Sequence, residues 1–338
     1  MGLISLLKKK NDKTLFTTPS HSGKFFITHK FYNWYKFDIS EVDAYNPQDE
    51  LQNAEAWASK IYKTKYTKFL TNGSTSGIIA AVLTCSPKKI LIWDNAHICH
   101  KNASKLANAE IIEYSLEKNK DYDIFQAITP KEVEKLLSKH SADAIIITSP
   151  TYEGYVADIK AISEICKKYK TKLIVDEAHG ALYPFSEKLP ESAIKYADYT
   201  IQSLHKTAGG LNPTALLHSN DLNPAQALSM IQTTSPSYPM LATIEANVRY
   251  LNSKKGRKQI GNLISELESL KFPHLDDITK IVIKKEGLSG EELSNILFDK
   301  YKIEDERTSK KSSMLLCGLG TDKKKLLRLR KVLNDLGI

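Results

Sequence analysis

The 338-residue sequence predicts an α/β fold with a mainly parallel sheet, followed by a small C-terminal α+β unit. Three observations predict it. Apolar runs alternate with amphipathic stretches from about residue 51 to 220. Two of these runs lead into residues with reactive side chains. Leu173-Ile174-Val175 ends on Asp176, and Tyr199-Thr200-Ile201-Gln202 is followed by Lys206. A third run, Phe69-Leu70, opens into Asn72-Gly73-Ser74-Thr75-Ser76-Gly77 and then an amphipathic helical stretch.

In chain order, residues 1–50 have weak periodicity and many aromatics: Phe25, Phe26, Phe31, Tyr32, Trp34, Tyr35 and Phe37. They read as an irregular arm that packs on another surface, a partner subunit among the options. Strands are expected at 67–70, 90–94, 110–114, 143–148, 172–176, 199–202 and 214–218. Helices are expected near 52–64, 76–84, 100–108, 130–139, 159–170 and 191–196. Residues 224–271 keep a helical pattern, in which Asn247, Tyr250 and Leu251 begin a stretch long enough to bridge to a second unit. The tail reads strand 278–284, helix 290–300, strand 313–317 and helix 322–335. The expected division is an arm at 1–50, a large domain at 51–250 and a small α+β domain at 251–338.

Composition excludes several classes. Apolar content of 41% and charged content of 26% suit a globular protein that folds in water. No run reaches the roughly 18 apolar residues of a membrane span. At Met1–Lys10 the lysines follow the apolar residues, the wrong order for a secretory signal, so a cytoplasmic protein is expected. Cys85, Cys99, Cys166 and Cys317 form no CxxC pair and read as reduced thiols, with no metal site expected. The net charge of +9 is spread over Lys8–Lys10, Lys167-Lys168, Lys254-Lys255 and Lys323–Lys325. Spread in this way it describes solvated helix faces, and no nucleic-acid or membrane partner is expected.

A carboxylate on one strand end and an amine past the next suit pyridoxal phosphate (PLP) chemistry. The lysine forms a Schiff base with the aldehyde, and the aspartate keeps the pyridine nitrogen protonated so that the ring accepts electrons. Asp176-Glu177-Ala178-His179 also spells a helicase-type acidic box, but no GxxxxGK[ST] loop precedes it. The small residues Asn72 to Gly77 let a helix N-terminus approach a phosphate monoester, unless they are an ordinary helix cap. His97 closes another strand, where an imidazole can stack on a flat ring or simply occupy a loop. Ser203 and His205 flank Lys206, and Gly209-Gly210 permits an unusual turn after it.

These segments resemble the ornithine/lysine/arginine decarboxylase family of fold type I PLP enzymes, in its bacterial biosynthetic branch. The matching stretches are 16–23, 37–41, 72–77, 148–154, 175–181, 202–207 and 233–238, in family order, with a weaker match at 288–290 and 301–306. The resemblance implies the fold type I architecture and PLP as cofactor. It implies that Lys206 is the Schiff-base lysine and Asp176 the partner of the pyridine nitrogen. His97 would stack on one ring face and Ala178 on the other. Ser74, Thr75, Ser203 and His205 would hold the phosphate, with Ser76 in the same loop. His179 would sit near the ring oxygen or the substrate carboxylate. A homodimer with shared active sites is implied, in which Ser235 serves the neighbouring subunit's cofactor.

The implied reaction is decarboxylation of lysine, arginine or ornithine, a step in polyamine biosynthesis, with Lys206 or His179 returning a proton to Cα. A carboxylate would meet the substrate's distal cation, with Asp38, Glu41, Glu153 and Glu306 as candidates and Glu306 as first choice. The sequence departs from the family at Ser20, where a glycine is usual, and at Asn212-Pro213, where a Thr/Ser-Gln pair is common. Glu306-Arg307-Thr308-Ser309 lacks the acidic residue expected near Ser309 from the family, and the chain stops at Ile338, short of the longer relatives. An aminotransferase or aldol-type lyase would use the same lysine and aspartate. Arg249 and Arg307 are the arginines placed to hold a substrate carboxylate. A non-catalytic PLP-binding protein is the third reading.

Overall fold

The structure, a computed structural model, describes residues 14–17, 19–20 and 49–338. Strand β1 (Thr14–Leu15) comes first, then helix α1 (Asp49–Tyr62) and β2 (Tyr66–Leu70). The loop after β2 turns into α2 (Gly73–Cys85), followed by β3 (Lys89–Trp93), α3 (Ile98–Leu106) and β4 (Glu110–Tyr114). A two-strand hairpin, β5 (Lys118–Asn119) and β6 (Ile124–Phe125), leads to α4 (Pro130–Lys139). Thr129 and Glu132 form a capping box at the start of α4, with Pro130 in its first turn. Next come β7 (Ala144–Thr148), α5 (Ile159–Tyr169), β8 (Lys172–Asp176) and β9 (Tyr199–Ser203). A one-turn helix α6 (Leu204–Thr207) leads to β10 (Ala215–Ser219).

Seven of these strands form one sheet in the order β2-β10-β9-β8-β7-β3-β4. The pairs from β9 through β4 are parallel, and β10 alone runs opposite to its neighbours. Each strand alternates its side chains between two cores. Ile90, Ile92, Ile146 and Ile174 meet α2, α3 and Ala227 and Leu228 of a later helix on one face. Leu91, Ile145, Ile147, Leu173 and Val175 meet Val133 and Leu137 of α4 and Ile162 of α5 on the other. The seven expected sheet strands lie within a residue or two of these positions.

The region 224–271 differs from a single helical run. It breaks into α7 (Ala225–Ile231), α8 (Tyr238–Asn252) and α9 (Lys254–Leu270). Pro236 and Pro239 force the first restart, and Ser253 caps α9 by accepting from Gly256 N. Asn247, Tyr250 and Leu251 therefore end a helix instead of beginning one. The expected helix at 191–196 is a single 3-10 turn, Ala193–Lys195, because β9 starts only four residues later.

The tail contains β11 (Lys280–Ile283), α10 (Gly290–Tyr301), β12 (Ile303–Glu304), β13 (Arg307–Thr308), β14 (Ser313–Leu316) and α11 (Lys323–Asp335). Strands β11, β14 and β13 form an antiparallel sheet. Helix α9 serves two cores, placing Ile260 and Ile264 against the large unit and Leu263 and Leu267 against the tail. The arm is not wholly irregular: β1 pairs in parallel with β12, and Phe16 is buried in the tail's core. The aromatics from Phe25 to Phe37 lie outside the described residues.

Candidate active site

The strand ends decide where the reactive groups meet. Asp176 is the last residue of β8 and pairs with Thr148, the last of β7. His97 follows β3 and caps α3, accepting from Cys99 N. Lys206 lies in α6, directly after β9. Because β10 runs the other way, its first residue, Ala215, pairs with Ser203 and Leu70 at this same edge. Carboxyl ends of parallel strands are the usual ligand edge of an α/β sheet. Here they frame a cavity of about 240 Å³ lined by Ser74, Thr75, His97, Asp176, Ala178, His179, His205 and Lys206. Trp93, Cys99, Thr148, Tyr152 and Pro213 complete much of its wall.

One side of the cavity suits an anion. Helix α2 begins without a side-chain cap from Asn72, and its start brings Gly73, Ser74 and Thr75 up to the cavity. Gly77 allows this approach. A Cβ there would lie 2.8 Å from Leu70 Cδ1 and 2.9 Å from Ile201 Cγ2. Ser203 Oγ donates to Ser74 Oγ at 3.0 Å, and Ser76 Oγ donates to Gly73 O at 2.8 Å. Ser76 and Ser203 are thus buried behind the lining residues. His205 lines the cavity while its Nδ1–H donates to Thr214 O at 3.0 Å.

The same cavity holds the ionisable groups Asp176, His179 and Lys206. Asp176 Oδ1 accepts from Ala178 N at 3.1 Å, and Oδ2 accepts from His100 Nε2 at 2.9 Å. Burial works against ionisation, but the His100 hydrogen bond, the Lys206 charge and the Ala178 N–H hold the Asp176 carboxyl below its usual value. Burial lowers the Lys206 amine, and the negative charges of Asp176 and Glu306 only partly restore it. His179 Nε2 lies 3.1 Å from Lys206 Nζ. Burial, then Lys206 and Lys280, push the His179 imidazole well below its ordinary range, so the ring is neutral near pH 7.

On the cavity wall, Tyr152 packs edge-on against His179 with ring centroids 5.0 Å apart. Arg307 stacks over Tyr152 at 4.4 Å and pairs with Glu153 at 3.4 Å. Glu153 is therefore already matched by a cation, whereas Glu306 acts on Lys206 and Tyr152 through its charge. Ser235 is exposed on the loop before α8 and does not line the cavity. Arg249, on α8, pairs with Glu245 and stacks on Trp57, also away from it. Asp38 and Glu41 lie outside the described residues.

Sequence reasoning missed three contributors. His100 touches Asp176 but reads as a lone helix histidine. Tyr152 joins His179 to Arg307, though its only signal is its place in the 148–154 stretch. Lys280 is completely buried, pairs with buried Asp277, and donates to His179 O at 3.3 Å. Tyr183 OH donates to Asp277 Oδ2 at 2.6 Å, which ties the turn after Asp176 to β11. Among the described residues, ligating atoms of Cys99, His100 and Asp176 lie within 4.8 Å of one another. His100 and Asp176 already satisfy each other there, and Cys99 Sγ lies 3.0 Å from His97 Nδ1. No helix among the described residues is long and apolar enough to cross a membrane.

Comparison with known proteins matches residues 3–283 to the family described as Orn/Lys/Arg decarboxylase, major domain. The uncharacterised Bacillus subtilis protein YaaO is 27% identical over 92% of this chain and 72% of its own length. An arginine decarboxylase of Bacillus anthracis is 29% identical over 87% of this chain, which spans 66% of that relative. The lysine decarboxylase of Francisella novicida superposes with a TM-score of 0.77 at 20% identity, covering 98% of this chain and 59% of that structure. An alanine–glyoxylate aminotransferase from Nostoc superposes with a TM-score of 0.69 at 13% identity, covering 96% and 95%. The fold is accordingly that of fold type I PLP-dependent enzymes, as the sequence resemblance implied.

Proposed function

Because the chain belongs to the Orn/Lys/Arg decarboxylase family, we propose that it decarboxylates a basic amino acid with pyridoxal 5'-phosphate bound in this cavity. The observation that carries the reading is the joint placement of a carboxylate held ionised, Asp176, and an amine with lowered pKa, Lys206, beside an uncapped helix N-terminus. These residues fit the cofactor's chemistry. Lys206 supplies the covalent link, and Asp176 holds the proton on the ring nitrogen. Ser74, Thr75 and His205 take the phosphate at the start of α2, with Ser76 and Ser203 fixing that loop from behind. His97 and Ala178, which line the cavity, would pack against the ring.

When bound, the cofactor supplies an electron sink for the pair left behind as carbon dioxide departs. The protein's part is orientation and proton control. With the cofactor bound, the cavity walls would orient the substrate so that the Cα–carboxylate bond is the one cleaved. Lys206 Nζ and His179 Nε2, in hydrogen-bond reach of each other, form the pair that returns a proton to Cα. Glu306, whose charge acts on Lys206, would meet the substrate's distal cation. Arginine is the first substrate to assay, because the more similar named relatives are arginine decarboxylases. We further propose an arm, a large domain and a small domain with the boundaries expected from sequence, and a homodimer in which Ser235 reaches the neighbouring subunit's site.

One observation favours a second reading. Arg307 stacks on Tyr152, a residue of the cavity wall, and an arginine there would hold a substrate carboxylate as aminotransferases require. The deciding experiment supplies carboxyl-labelled arginine, lysine and ornithine to the PLP-loaded protein. Labelled carbon dioxide with stoichiometric amine supports decarboxylation. No carbon dioxide, with ready amino transfer to a keto acid, supports the aminotransferase. PLP bound with neither reaction supports the non-catalytic reading.

A further inference from the structure

We propose that His100 is a positioning residue for Asp176, setting the orientation and charge of the carboxylate that meets the cofactor's ring nitrogen. The inference rests on the reading of Asp176 given above and adds a residue to it. His100 is completely buried in the first turn of α3, three residues after His97. Its backbone is fixed there: His100 N donates to His97 O at 3.0 Å, and Ser104 Oγ donates to His100 O at 2.8 Å. The imidazole reaches across to β8, where Nε2–H donates to Asp176 Oδ2 at 2.9 Å.

The carboxylate is thereby held at both oxygens, by two separate elements. Ala178 N fixes Oδ1 from the turn after β8, and His100 fixes Oδ2 from α3. A carboxylate with one donor can rotate about χ2, and one with two donors on different elements cannot do so without losing a bond. The second effect is on charge. Burial alone favours the neutral acid, which could not keep a proton on a neighbouring pyridine. A donor on Oδ2 favours the anion. The tautomer follows from the surroundings, because His100 Nδ1 is buried with no hydrogen-bond partner. A proton on Nδ1 would be a buried donor without an acceptor, so the Nε2–H form is the one that fits. Histidine 97 and the His100 imidazole therefore divide the work of one helix turn. The first faces the cavity, and the second stands behind the acid.

The test compares His100→Phe, which keeps a flat ring but no donor, with His100→Gln, whose amide can reach the same oxygen. The first readout is the chemical shift of the ring nitrogen in protein loaded with nitrogen-15 PLP. We expect it protonated in the wild type, shifted toward the unprotonated value in His100→Phe, and restored in His100→Gln. Turnover should fall roughly tenfold to a hundredfold in His100→Phe with little change in KM, as for outer partners of a catalytic group. An unchanged nitrogen shift and turnover in a folded His100→Phe protein would overturn the proposal and leave His100 as a packed core histidine. The second readout needs neither cofactor nor the phenylalanine variant. In cofactor-free protein the His100 Nε2–H should give a slowly exchanging proton resonance that moves in Asp176→Asn. Absence of that resonance, or no response to Asp176→Asn, overturns the proposal even if His100→Phe fails to fold. If PLP does not bind, or if Asp176→Asn leaves the ring nitrogen protonated, the reading of Asp176 fails, while the cofactor-free resonance still decides the His100 contact.

Discussion

His179 Nε2 stands 3.1 Å from Lys206 Nζ, and both line the cavity that holds Asp176. A buried amine beside a neutral imidazole is easier to deprotonate than a surface lysine, because burial penalises its charge. The free amine is the form that attacks an aldehyde. Lowering the pKa from 10.5 extends that form to lower pH. We therefore expect the rate of PLP capture by cofactor-free protein to level off below pH 10.5, as followed by absorbance after rapid mixing. A rate still climbing through 10.5 would show an ordinary lysine.

Asp176→Asn should separate binding from chemistry. The asparagine leaves the start of α2, the proposed phosphate site, intact but cannot stabilise a protonated ring nitrogen. Cofactor occupancy should stay near that of the wild type while turnover falls by roughly a hundredfold or more. Parallel absorbance titration and turnover measurements check this. Near-normal turnover at full occupancy would remove Asp176 from the electron-sink role.

Lys280→Met should be among the more damaging single changes outside the cavity. It leaves Asp277 buried without its cation and frees the carbonyl of His179. Breaking a buried ion pair in this way costs about 3–5 kcal/mol. The Asp277 carboxyl is buried, yet Lys280, Tyr183 and Thr279 hold it below its ordinary 3.8. With the folded value depressed, the pair's stabilisation is complete above 3.8 and is lost as pH falls below it. Urea unfolding at neutral pH should show the full deficit of Lys280→Met, and the gap from wild type should narrow in acid.

Gly77→Ala tests the close approach of α2 to the sheet. The added methyl meets Leu70 and Ile201 at less than 3.0 Å, so the helix must retreat. A loss of about 1–3 kcal/mol in stability is expected from overpacking of this kind. PLP affinity should fall with it, because the same helix start carries Ser74 and Thr75. Unchanged affinity in the folded variant would detach the phosphate site from this packing.

The strands and the pair Asp176 and Lys206 were legible because their signals are local. A β run shows itself in its apolar residues, and each reactive group sits at or just after a run's end. The Asn72 to Gly77 loop was legible for the same reason. His100 and Lys280 were not. His100 meets an oxygen 76 residues away, and Lys280 meets a carbonyl 101 residues away. A single histidine in a helix and a single lysine at a strand's start look locally like any others, and only the folded chain shows what they touch. The break of 224–271 into three helices was readable from Pro236, Pro239 and Ser253, but the apolar period across them masked it.

The most direct test of the account is borohydride reduction of the PLP-loaded protein, followed by peptide mapping. The central claim is that Lys206, lowered by burial and faced by Asp176, carries the cofactor. The pyridoxyl group should be recovered on the peptide containing Ser203-Leu204-His205-Lys206-Thr207, and Lys206→Ala should abolish the label. Recovery on another lysine, Lys280 included, or full labelling of Lys206→Ala, would contradict it.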